Sequence, residues 1–82
     1  MIDKAYNYRI DMVAFGSRIK SFRTEHKISM RQMEDFFGIF SQALYKWERG
    51  ESLPEIQNLL TLSRLLGVSV DNLLVCTTAD AA

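Results

Sequence analysis

Apolar residues recur at helical spacing along most of the chain, and no stretch alternates strictly enough to announce a half-buried strand. Met12, Phe15, Ile19 and Phe22 form one stripe and predict a first helix over about 12–25. Ser29 and Gln32 stand three positions apart and read as a capping box, in which hydroxyl and amide satisfy each other's exposed backbone donors. The second helix therefore opens at Ser29 and ends at Phe37, before Gly38. A third covers 41–49. A fourth, over 54–66, is introduced by Ser52 with Glu55 three positions on, and is expected to bury Ile56, Leu59, Leu60, Leu62, Leu65 and Leu66. A short fifth is capped by Ser69 and carries Val70, Leu73 and Leu74. Gly38, Gly50 and Gly67 each follow a helical pattern, where a left-handed C-terminal cap favours glycine.

This pattern predicts an all-α, compact five-helix bundle over 12–75, with a helix-turn-helix at 29–50. Residues 1–11 read as an N-terminal extension and 76–82 as a C-terminal tail. Within them, 1–10 and 77–82 are expected to be flexible or weakly structured.

The third helix adds chemistry. At about 100° per residue from Ser41, the residues Phe40, Ala43, Leu44 and Trp47 share an arc of about 200° to 300°. Ser41, Gln42, Tyr45, Lys46 and Arg49 fall between about 0° and 140°. One side is core. The other is a strip of hydrogen-bonding and cationic groups without a carboxylate. Glutamine suits adenine, serine suits either kind of base edge, and lysine or arginine suits guanine or phosphate.

Composition narrows the classes. With 82 residues there is one core to build, and 48% apolar residues is too many for a disordered chain. No apolar run approaches a membrane span. The lone Cys76 and lone His26 suggest neither a disulfide nor a metal site, so a soluble cytoplasmic protein without metal or cofactor is expected. Net charge is zero, but nine Lys/Arg face six Asp/Glu in residues 1–50, and one faces four in 51–82. A mildly basic end is thus hidden by an acidic one. His26 lies in a polar run between helices, Glu34 and Asp35 diverge on a helix, and no glycine loop could cradle a phosphate. No catalytic arrangement emerges.

The stretch from Phe15 to Leu74 resembles the phage-repressor and Cro type of helix-turn-helix domain, also called the xenobiotic-response-element (XRE) family, of lambda-repressor-like fold. The resemblance rests on Phe15-Gly16-Ser17-Arg18-Ile19 with Arg23, on Ile28-Ser29, and on Met33 with Phe37-Gly38-Ile39. Leu44, Trp47-Glu48-Arg49-Gly50, Pro54, Leu59-Leu60 and the run Leu66-Gly67-Val68-Ser69-Val70-Asp71-Asn72-Leu73-Leu74 complete it. It implies a regulator, more often a repressor than an activator, that binds operator DNA as a two-fold homodimer in a bacterial or phage setting. By position, Ser41, Gln42, Tyr45 and Lys46 would face bases or adjacent phosphates, and Arg31 and Arg49 would contact phosphate. Arg23 and Glu48 would form a structural ion pair joining helices one and three.

Four residues depart from the family pattern. Met30 replaces a phosphate-binding glutamine, and Glu34 replaces an alanine and is expected to point outward. Phe40 stands at the usual Ser/Thr N-cap, leaving Ser41 to take that role. Phe36 replaces a polar residue. Phe36 and Phe40 are therefore either an exposed patch for a protein partner or are covered by Tyr6, Tyr8 and Ile10. The apolar C-terminal end (Val68, Val70, Leu74 and Val75, with Leu73 shared with the core) is the expected dimer surface. A protein-binding module of antitoxin or anti-repressor type, keeping the fold without specific DNA binding, is the alternative reading.

Overall fold

In the computed structural model, residues 2–78 are described. A single 3-10 turn at Lys4–Tyr6 leads into β1 (Tyr8–Ile10). The helices are α1 (Met12–Glu25), α2 (Met30–Phe37), α3 (Ser41–Arg49), α4 (Ile56–Leu66) and α5 (Val70–Leu74), followed by β2 (Cys76–Thr78). The fold is all-α with a small ribbon added. β1 and β2 pair antiparallel, Tyr8 opposite Thr78, Arg9 opposite Thr77 and Ile10 opposite Cys76.

That ribbon corrects the expectation of loose ends. Strands of three residues are too short to display a period, and these two segments lie at opposite ends of the sequence. Their pairing becomes visible only when the helices bring the ends together. The part of the expected tail over 79–82 lies outside the described residues.

Helix boundaries follow local chemistry. Asp11 caps α1, its carboxylate accepting from the Ala14 amide at 3.0 Å. The Ser29–Gln32 capping box is fully formed, at 3.1 and 2.8 Å. Ser69 caps α5 through the Asn72 amide. The fourth helix differs from expectation: it begins at Ile56 after Glu55, whose side chain makes no cap bond, and Pro54 belongs to the buried approach segment instead. Ile56, 84% exposed, and Leu60, 51% exposed, stand four positions apart on one side of α4 and face solvent. Leu65 is exposed too, so the buried stripe of α4 is narrower than its six-residue apolar set.

The core consists of Phe15, Ile19, Met33, Leu44, Trp47, Leu62 and Leu73, with Ile28, Phe37, Ile39, Leu59 and Leu66 packed around it. Phe37 meets Trp47 edge-on, ring centroids 5.6 Å apart. This contact joins α2 to the inner side of α3. Phe22, expected in the stripe, is half-buried and rests against the His26 ring at 4.2 Å. An Arg18 guanidinium bond to the Asn72 carbonyl ties α1 to α5.

Gly16 explains how closely α1 and α3 approach. A Cβ there would lie 2.4 Å from the Trp47 carbonyl oxygen and 2.5 Å from that of Glu48. Both are backbone atoms, so only glycine admits this crossing.

Candidate nucleic-acid interface

Three connected devices hold α3 with one face outward. Its inner face is pinned by Leu44 and Trp47, 1% and 4% exposed. Its approach is set by Gly38, at φ 69°, the left-handed residue that ends α2 and turns the chain. Its C-terminal half is anchored by Glu48, the buried carboxylate facing α1.

Arg23 grips Glu48 in bidentate fashion, Nε to Oε2 at 2.6 Å and Nη2 to Oε1 at 3.1 Å. The third guanidinium nitrogen donates to the Ile28 carbonyl at 3.2 Å. The one ion pair thus fastens α1 and α3, and also the segment before α2. Hydrogen bonding to Glu48 raises the Arg23 pKa, burial opposes this, and smaller electrostatic contributions come from Glu48 and Tyr45.

The start of α3 is built differently from expectation. Phe40 occupies the N-cap position and makes no side-chain cap bond. Ser41 does not replace it. Instead Glu34 of α2, expected to point into solvent, turns back so that its Oε2 accepts the Ser41 amide at 2.9 Å. A carboxylate at a helix N-terminus satisfies an orphan donor and complements the dipole. The unusual glutamate and the unusual phenylalanine therefore compensate each other, and the first amide of α3 is satisfied by the protein itself.

Outside, Gln42, Tyr45, Lys46 and Arg49 are exposed and Ser41 is half-buried. Phe40, assigned to the core arc by angle alone, is 81% exposed. It sits where the chain is still extended, so the helical wheel does not apply to it. Phe40, Gln42, Lys46 and Ser52 border one shallow depression. Arg31, Glu34 and Asp35 border a second, which Phe40 also lines. The surface is thus continuous from Arg31 through Phe40 to Lys46, with two acids along one edge. Arg49 borders neither depression and is engaged by Glu51, Nε to Oε2 at 2.5 Å, both side chains more than half exposed.

Phe36 and Phe40 do not form one patch. Phe36, 59% exposed, contacts Phe37 edge-on and borders Leu60 and Leu65 of α4, away from Phe40. Nor are they covered by Tyr6 and Tyr8, which are themselves 76% and 60% exposed. At the C-terminal end Leu73 is fully buried, Val70, Leu74 and Val75 are half-buried, and Val68 is exposed. Among the described residues no cluster of metal-ligating side chains occurs, and no helix is long and apolar enough to cross a membrane.

A buried α2–turn–α3 unit with a polar outer ridge is the geometry of a helix-turn-helix. Comparison with known proteins agrees: residues 19–73 match the helix-turn-helix family, and the chain belongs to it. It is 45% identical over 66 residues to the SPbeta prophage-derived uncharacterized HTH-type transcriptional regulator YonR of Bacillus subtilis, covering 80% of this chain and 61% of that protein. It is 39% identical over 59 residues to repressor protein C2 of Salmonella phage P22, covering 72% of this chain and 27% of that one. To the HTH-type transcriptional activator BcrR of Enterococcus faecalis it is 27% identical over 60 residues, 73% of this chain and 29% of that protein. The chain therefore spans less than two thirds of each of these relatives.

Proposed function

We propose that this chain is a sequence-specific DNA-binding transcriptional regulator, a repressor that binds a palindromic operator as a homodimer with α3 in the major groove. The observation that carries this reading is the uncovered outer face of α3, held rigidly by Leu44, Trp47 and Glu48 behind it. Gln42 and Lys46 read base edges, with Tyr45 and Ser41 at bases or neighbouring phosphates, and Arg31 and Arg49 on phosphate. Phe40 joins them. An exposed aromatic beside Gln42 and Lys46 suits the methyl group of thymine, which polar neighbours cannot recognise. The names of the relatives, a transcriptional regulator, a repressor and a transcriptional activator, support a regulator, and the repressor's name supports repression.

Selection of binding sites from random duplexes tests it. An enriched two-fold sequence is expected, and Gln42→Ala should weaken binding to it by roughly tenfold while relaxing preference at one position per half-site. Recovery of no enriched sequence would sink the proposal.

One observation favours a protein-binding alternative: Phe36 with Leu60 and Leu65 leaves an apolar face between α2 and α4. Under that reading Phe36→Ser abolishes complex formation with a protein partner, and Gln42→Ala changes nothing measurable.

A further inference from the structure

We infer that the outer edge of β2 is the surface through which two copies of this chain join, pairing antiparallel so that the two ribbons become one four-stranded sheet. The inference rests on the homodimer proposed above and says where it forms.

Among the described residues, nothing pairs with the outer edges of the ribbon. The Asp11 amide donates to the Val75 carbonyl at 2.9 Å, which extends the ladder by one rung. Hydrogen-bonded and non-hydrogen-bonded pairs alternate in an antiparallel ladder. Asp11–Val75 and Arg9–Thr77 are therefore the bonded pairs. The main-chain groups of Tyr8 and Ile10 face outward on one edge, and those of Cys76 and Thr78 on the other. A two-stranded ribbon is marginal in water by itself. This one gains little from the helices, since its main neighbour besides itself is the 3-10 turn at Lys4–Tyr6.

The two edges are not equivalent. β1 carries Arg9 in its centre and is followed by Asp11, and charges on an edge oppose pairing with another chain. From Val75 to Thr78 there is neither charge nor proline, and three of the four residues are β-branched. The edge also follows directly in the chain on half-buried Leu74 and Val75. Val75 itself has φ 49°, a left-handed conformation that is costly for a β-branched residue. Such strain persists where surroundings over-determine it. Among the described residues a main-chain bond from Asp11 holds this turn, and a paired β2 supplies further restraint.

A two-fold axis through Thr77 satisfies the geometry. Thr77 then stands opposite its own mate, and Cys76 faces the partner's Thr78 with main-chain bonds on both sides of the axis.

Thr78→Pro removes an outward amide without touching a bond inside the ribbon, and Tyr8→Pro does the same on the opposite edge. Sedimentation equilibrium without DNA should show a dimer for the parent and for Tyr8→Pro. Thr78→Pro should dissociate about thirtyfold more readily, because each copy loses one bond across the axis. Amide exchange on the parent gives a readout that needs no variant: protection at Cys76 and Thr78 should rise with protein concentration, while Arg9 and Thr77 stay protected throughout. A dimer that Thr78→Pro leaves intact, with no concentration-dependent protection, overturns the edge and spares the dimer. A parent that stays monomeric at all concentrations overturns both, leaving α3's reading of DNA to stand on the site selection.

Discussion

Glu48 is a residue whose value lies in its partner. Its side chain is 4% exposed and that of Arg23 15%, so the pair has little water to fall back on. Glu48→Ala should lower unfolding free energy by about 3 kcal/mol, because it leaves a guanidinium buried and unpaired. Replacing both by methionine should restore much of that loss, and urea titration of the three proteins measures the difference. The raised pKa of Arg23 means that the guanidinium's contribution is fully present below its usual range and is lost only as pH climbs through the higher folded value. Arg23 therefore adds no slope to stability across neutral pH. The partners of this pair are legible in the sequence only through the family resemblance. No local rule joins residues 25 positions apart. Glu34 is the opposite case: its identity is plain, but its role depends on a tertiary approach that sets its carboxylate over the next helix.

At the scale of elements, the stripe of α1, the inner side of α3, the two serine caps and the glycine-terminated ends are readable, because each rests on neighbours within one turn. The start of α4 is not. Pro54 and the Ser52/Glu55 spacing suggested an earlier helix, yet the chain there stays extended and buries the proline against the core. The ribbon was hidden for a related reason: its ladder is entirely non-local. The crossing of α1 over α3 is the element-scale feature most open to test. Gly16→Ala gains helix propensity of about 1 kcal/mol but forces a methyl into two carbonyls, and should be destabilising overall by at least about 2 kcal/mol. Gly67→Ala, where a Cβ meets nothing within 4 Å, should cost only about 1–2 kcal/mol from its backbone conformation. Comparable melting temperatures for the two variants would contradict the steric account.

For the whole molecule, zero net charge hides the electrostatics that matter. The cations Arg31, Lys46 and Arg49, proposed above to meet DNA, sit among Glu34, Asp35 and Glu51, so attraction is local and long-range steering is weak. The Arg49–Glu51 pair is exposed, and such pairs contribute at most about 1 kcal/mol. A phosphate can therefore displace Glu51. Operator affinity should fall as salt rises, and Arg49→Gln should flatten the log–log slope by about 0.9 per protomer. An unchanged slope would mean that Arg49 remains with Glu51 in the complex.

The carboxylate that closes the start of α3 has a consequence for the economy of binding. A helix whose first amide is already held by its own protein needs less ordering from a nucleic acid. Whatever freedom that turn once had was surrendered during folding, so contacts made in the groove are not spent on shaping the reader. Discrimination between sequences can then reflect the match of side chains to bases alone.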